Sequence, residues 1–311
     1  MAKAQPITDV AADTPIGIFA ARVIETRASE VTALATRRSN GNASGVHDRR
    51  VAIRRLRTAL EVFGPELPKR SRSVGKELKG AFSELGPRRD ADVALELVRS
   101  FEPALIQSDM PGWRMVVEAL EAERHAAKCS LDRETVLHAG EDAVALAAKA
   151  SSNNGGTVAA KAMRKVIAPR LAAVQRDLRA LEKPKNAKAL HRLRIDAKRL
   201  RYVLEAAEPA LGPSAMVGAD AARDLQTRLG DIHDCDVLLP RLADLRRTLR
   251  DEDVAAAMEG RRAVNGARYR GLQTIDTLVR ARRAELAARA AEKRDEIAEA
   301  LDAAAAELGI A

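Results

Sequence analysis

Aromatic residues make up only 2% of this 311-residue chain, and cysteine occurs twice. So few aromatics leave little for nucleobases to stack on, which weighs against a reader of single-stranded nucleic acid. Two cysteines, Cys129 and Cys235, make neither a disulfide framework nor a zinc site, and both read as free thiols of a cytosolic protein. No apolar run approaches the ~18 residues that mark a membrane span. The first residues (MAKAQPITDVAADTP) lack the apolar core of a secretory signal. There is no Walker P-loop, no G-x-S-x-G elbow and no dinucleotide fingerprint. Convincing strand alternation is missing too.

Helical patterning and positive charge are what is present. Hydrophobic residues make up 46% and charged residues 31%, enough for a core under a heavily charged surface. Lys and Arg number 53 against 44 Asp and Glu, for a net charge of +9 and a pI of about 9.8. Such a balance points to a polyanionic partner. Nearly every segment reads with helical period. Helices are expected from Pro15 to about Arg38, through the basic stretch that begins at His47, and from about Ser71 to Leu85. Others are expected from about Arg88 to Phe101, from Gly112 to Asp132, and on to Ala150. The second half repeats this order from Val158, with a break around Glu208–Pro213, a bend near Gly230 and a kink at Pro169.

Eleven residues occur twice. His47–Arg57 reads HDRRVAIRRLR and His191–Arg201 reads HRLRIDAKRLR, each with five Lys/Arg and one Asp. On a helix, His47, Arg50, Arg54 and Arg57 fall on one face, as do His191, Arg194, Lys198 and Arg201. Val46, Ile53, Leu56, Leu60 and Phe63 fall on the other, so the helix can bury one face and present guanidinium groups from the other. Arg49 sits among the apolar positions and reads as structural or snorkelling. A stripe of like charges repels itself unless something anionic lies along it. Arginine suits phosphate because its fork donates two parallel hydrogen bonds. A histidine among such cations is expected to be a neutral imidazole.

The offset between the copies is 144 residues. LGPRRDADV at Leu85 recurs as LGDIHDCDV at Leu229 in the same register, and Lys79 maps onto Arg223 and Arg124 onto Arg268. The polar loop Ser39–Gly45 maps onto Lys183–Ala189, with Ser151–Thr157 as the joint. One register without net insertion argues for two structural copies, about 15–150 and 158–311, after a disordered lead-in at 1–14. Two antiparallel four-helix bundles, in an all-α fold, are the simplest architecture.

Asp90, Asp92, Asp234 and Asp236 could chelate a divalent ion. Residues two apart on a helix point to opposite sides, however, so pairing with arginine is the expectation. The order His191, His233-Asp234, Asp276 imitates helical metal-dependent phosphohydrolases. Against that, His233 maps onto Arg89 and falls outside the repeated pattern.

A histidine followed by an arginine stripe and then L-G-x-x-x-D-x-D-V, each twice, resembles the CHAD family (conserved histidine α-helical domain). The resemblance spans about Pro15 to the C-terminal helices. It implies two four-helix bundles about a pseudo-twofold axis, with a basic central surface. It also implies non-catalytic binding of inorganic polyphosphate, in the cytoplasm at polyphosphate granules, with no cofactor and no metal. The implied site residues are His47, Arg50, Arg54, Arg55, Arg57, Lys79, His191, Arg194, Lys198, Arg199, Arg201 and Arg223. The E-x-E-x-K strand signature of the CYTH domain often fused to this family is missing, so a stand-alone CHAD protein is expected. Asp48 and Asp196 depart from a purely basic stripe. Binding to a nucleic-acid backbone and metal-dependent phosphohydrolysis are the alternatives.

Overall fold

The computed structural model describes residues 4–36, 43–127, 133–152, 156–262 and 265–310. Among them every long element is a helix: α1 (Ile16–Thr36), α2 (Ala43–Val62), α3 (Ser71–Glu84), α4 (Gly86–Ser100), α5 (Met110–Ala126), α6 (Arg133–Ser151), α7 (Ala159–Asp177), α8 (Ala187–Leu211), α9 (Pro213–Met258), α10 (Gly266–Glu292) and α11 (Arg294–Glu307). The fold is all-α. Cys129 and most of the expected Ser39–Gly45 loop lie outside the described residues, as do 153–155 of the expected joint.

Helices α1, α2, α3 and α6 pack around one another as one bundle. α7, α8, the first part of α9 and α11 form another. Contact of α2 with α8 and of α1 with α7 joins them into one continuous core, which includes Phe19, Ile24, Leu56, Phe63, Ile167 and Leu193. Burying each such side chain is worth about 1.5–3 kcal/mol, enough to hold a stripe helix by one face alone.

A third assembly goes beyond the two expected bundles. α4 and α5 from the first half pack against the later part of α9 and the start of α10, around Val98, Val116, Leu120, Leu238, Leu272 and Ile275. α5 and α10 cross so closely that Gly112 and Gly271 touch backbone to backbone. A Cβ on Gly271 would press into the carbonyl of Asp109. This crossing shifts the register between the halves. Asp92 accepts from Arg124 (2.8 Å), and its counterpart Asp236 accepts from Arg283 (2.5 Å), not from Arg268. Both Gly112 to Gly271 and Arg124 to Arg283 are 159 apart, so fifteen residues enter the second half after its L-G-x-x-x-D-x-D-V motif.

The helix breaks have local causes. The first half breaks between α3 and α4 at Leu85–Gly86, because Pro87 has no N–H to donate to the preceding turn and its ring opposes helical continuation. Position 231 is aspartate, so α9 passes unbroken through Gly230, where a bend was expected. Pro209 and Pro169 are accommodated inside α8 and α7. α8 ends at Gly212, whose φ of 79° suits only glycine well, and Pro213 starts α9. Residues 4–14 are not the disordered lead-in expected. Gln5 donates its N–H to Glu30 (2.6 Å), and the carbonyls of Ala12 and Thr14 accept from the first turn of α7. Met1–Lys3 lie outside the described residues.

Candidate polyanion site

The two stripe helices are fixed by their apolar faces. Ile53, Leu56 and Leu60 of α2, Phe63 just after it, and Leu193, Ala197, Leu200 and Val203 of α8 are buried. Asn186 caps α8, its side chain accepting from the Ala189 N–H (3.1 Å). The cationic faces then meet. Arg50, Arg54 and Arg57 gather over one ring, their guanidinium carbons 4.1, 4.9 and 5.9 Å from the centre of Phe82. Contacts of this kind fall within the reach of a cation–π attraction, worth about 0.5–2 kcal/mol each. Arg50 also donates to the Phe82 carbonyl (3.2 Å).

Lys198 of α8 lies in the field of this group. Burial and the charges of Arg54, Arg194, Arg199 and Arg50 push its ammonium down to about 7. Burial, then Arg54, lowers Arg50 to about 10. Arg194 is lowered by burial and by Arg54, while Asp234 and Asp90 counter the shift. None of Arg50, Arg54, Arg194 and Lys198 forms a salt bridge with a described residue. The fold thus gathers partly desolvated cations from two helices and leaves their charge uncompensated at short range.

The histidines are neutral neighbours. Burial first, and nearby cations second, lower the pKa values of His47 and His191. His233, whose ring centre is 4.8 Å from that of His191, falls to about 4 through burial and Arg194. His47 Nε2 is buried without a hydrogen-bond partner.

The paired aspartates divide their labour. Asp92 holds Arg124 and Arg88, and Asp236 holds Arg283. Asp90 and Asp234 instead act on the cation cluster through their charge, Asp90 on Arg50 and both on Arg194, and burial raises Asp234 to about 6 against the pull of Arg194. Asp276 is committed to Arg280 and Arg246, at 2.6 and 3.8 Å. Among the described residues no three His, Cys, Asp or Glu side chains are grouped to hold a metal ion. Cys235 is buried, its thiol pushed up to about 11, which suits a packing residue and not a nucleophile.

Three of the expected cations are engaged by carboxylates. Arg55 and Arg201 are buried in an ionic network, Arg55 with Glu30 and Glu205 (both 3.9 Å) and Arg201 with Glu205 (2.7 Å). Arg223 reaches the same Glu205 (3.1 Å) and Asp220. This network ties α1, α2, α8 and α9 together. Arg199 is exposed with Asp196 at 3.6 Å, Lys79 is exposed on α3, and Arg49 donates to the Leu34 carbonyl. Phe82 and Arg89 escaped the sequence reading because their counterparts, Gln226 and His233, break the repeat that guided it. Arg89 lies close enough to His47 and Arg50 to lower both.

Residues 18–243 match the CHAD domain in a scan of protein families. Among solved structures, the chain resembles the CHAD domain of the plant Ricinus communis. The TM-score is 0.65 at 22% identity, over 99% of this chain and 96% of that one. It also resembles PptA from Streptomyces chartreusis, with a TM-score of 0.60 at 16% identity, over 91% of this chain and all of that one. No curated protein matches. No helix among the described residues is long and apolar enough to cross a membrane.

Proposed function

Because the chain belongs to the CHAD domain family, we propose that it binds inorganic polyphosphate, without hydrolysing it, across the cation cluster of α2 and α8. The observation that carries this reading is Lys198 beside Arg50, Arg54 and Arg194: burial, then the Arg54 charge, lowers the pKa of Lys198, Arg50 and Arg194, and none of the four has a salt-bridge partner among the described residues. Clustered cations cost folding free energy, and a polymer with about one negative charge per phosphate unit relieves that cost. The forks of Arg50, Arg54 and Arg194 are the groups that would chelate phosphate oxygens, with Lys198 as a point charge among them. The carboxylates Asp90 and Asp234 offset part of the repulsion on Arg194, and Asp90 does the same for Arg50.

Two features favour polyphosphate over nucleic acid. The ring at the centre, Phe82, already carries guanidiniums, which compete with a nucleobase for it. The chain also has few other aromatics. For hydrolysis the nearest imitation of a metal site is His191, His233 and Asp234, and its fourth member, Asp276, is tied to Arg280 and Arg246. The role that follows is that of a binding module at polyphosphate granules in the cytoplasm.

Titration with long-chain polyphosphate, duplex DNA and RNA side by side, across a range of salt, tests this. Polyphosphate should bind most tightly and retain binding at salt that releases the nucleic acids. Equal or tighter binding of DNA, or phosphate release from polyphosphate, would overturn the reading.

A further inference from the structure

A second basic surface adjoins the cluster in the first half only. Arg57, one of the three guanidiniums over Phe82, also lines an open groove between the end of α2 and the start of α3. Lys69, Arg72, Lys76 and Lys79 line the same groove, with Glu61 its one acidic lining residue. All four are exposed, and none forms a salt bridge or side-chain hydrogen bond with a described residue. Lys79 and Phe82 lie three apart on α3, on one face, so the groove runs on from the cluster without a gap.

The matching surface of the second half is also open, but its charges are paired. In the 144-residue register of α2 with α8, the positions of Arg57, Glu61, Lys76 and Lys79 are held by Arg201, Glu205, Asp220 and Arg223. Those four form a continuous chain of ion pairs: Arg201 to Glu205, Glu205 to Arg223, Arg223 to Asp220. Lys69 and Arg72 correspond to Pro213 and Met216, so no charge replaces them. The aspartate at 220 makes the difference. It neutralises Arg223, whereas lysine at 76 adds a second uncompensated cation beside Lys79.

The geometry points to a one-sided track: a polyphosphate chain held at the α2–α8 cluster leaves it past Arg57 and continues along Lys79, Lys76, Arg72 and Lys69, so that this groove, and not the second half, sets the preference for long over short polymers. The inference rests on the polyphosphate reading above. A short anion fills the central cluster alone, and only a long one also reaches the groove.

The test compares long-chain polyphosphate with tripolyphosphate on the full chain, using the wild type and a variant carrying Lys69→Gln, Arg72→Gln and Lys76→Gln. A control variant removes the same number of exposed charges far away, by Arg247→Gln, Arg250→Gln and Arg261→Gln. The groove variant should lose long-chain affinity by about tenfold or more while keeping tripolyphosphate affinity. The slope of log K against log salt should fall by about 0.7 for each lost contact, on the analogy of single strands. The control should keep the wild-type ratio. Lys76→Asp alone, which restores the charge pattern of the second half, should reproduce part of the loss. Circular dichroism melts check that all variants fold. If the wild type bound no polyphosphate, the functional reading itself would fall. If it bound and the groove variant kept the long-chain advantage, or the control lost it equally, the track would be refuted while the central site stood.

Discussion

Arg54 and Lys198, one from each stripe helix, share a single electrostatic environment: after burial, the Arg54 guanidinium is the chief cause of the Lys198 ammonium falling from 10.5 to about 7. The two residues occupy the same position in the two copies of the stripe, and the fold brings them together across the α2–α8 contact.

A pH dependence follows from that pair. The folded chain binds fewer protons at Lys198 than the unfolded chain between pH 7 and 10.5, so this group makes stability rise with pH across that window. Below about 7 the lysine charges in the folded state too and its full penalty is present. A bound polyanion reverses the preference by stabilising the ammonium. Polyphosphate binding should therefore take up protons near pH 7–8, and affinity should weaken as pH rises through that range. Calorimetry in buffers of different ionisation enthalpy measures the uptake. Lys198→Arg should abolish the uptake while retaining binding.

The two halves of the cluster should be separable by substitution. Arg50→Ala with Arg54→Ala and Arg57→Ala should cut polyphosphate affinity strongly while leaving helicity unchanged, and should flatten the salt dependence by about two units for three lost contacts. Arg194→Ala with Lys198→Ala should also weaken binding. Unchanged affinity in the combined variant would remove the cluster from the site.

Arg55 and Arg201 should behave in the opposite way. Each is buried on carboxylates, and removing one partner leaves a buried charge, at a cost of about 3–5 kcal/mol. Arg201→Met should lower the urea midpoint sharply and leave the polyphosphate affinity of the folded protein near that of the wild type. Replacing Arg201 and Glu205 together by apolar residues should recover part of the loss, although Arg55 and Arg223 then lose a partner. A large affinity loss at full stability would return Arg201 to the binding surface.

At the crossing of α5 and α10, Gly271→Ala should destabilise the protein by roughly 1–3 kcal/mol, since the added carbon meets the Asp109 carbonyl, which cannot yield as a flexible side chain would. The equivalent change at Gly230, where nothing lies within 4 Å of an added Cβ, should be neutral or stabilising in the middle of α9. Thermal melts of the two variants compare them directly.

Phosphate release gives the remaining check. Protein supplied with divalent metal and polyphosphate should leave chain length undiminished. Release that His233→Ala abolishes would instead make His191, His233 and Asp234 a catalytic centre.

The sequence by itself determined that this chain is helical, because the period of its apolar residues is a local property that each segment carries alone. Recurrence at one register also singled out Arg50, Arg54, Arg194 and Lys198 as candidates, whereas the lowered pKa values of the histidines come first from burial, which only the fold supplies. Tertiary structure decided which basic residues face outward. Arg55 and Arg57 are two apart and chemically alike, yet only the packing of α1 and α8 brings Glu30 and Glu205 to the first and leaves the second over Phe82. Asp236 likewise meets Arg283 and not the arginine expected from the register, because the contact depends on how α9 and α10 fold back after fifteen additional residues. Helix period is set by neighbours along the chain, whereas the partner of a long charged side chain is set by whatever the packing of distant helices brings within its reach.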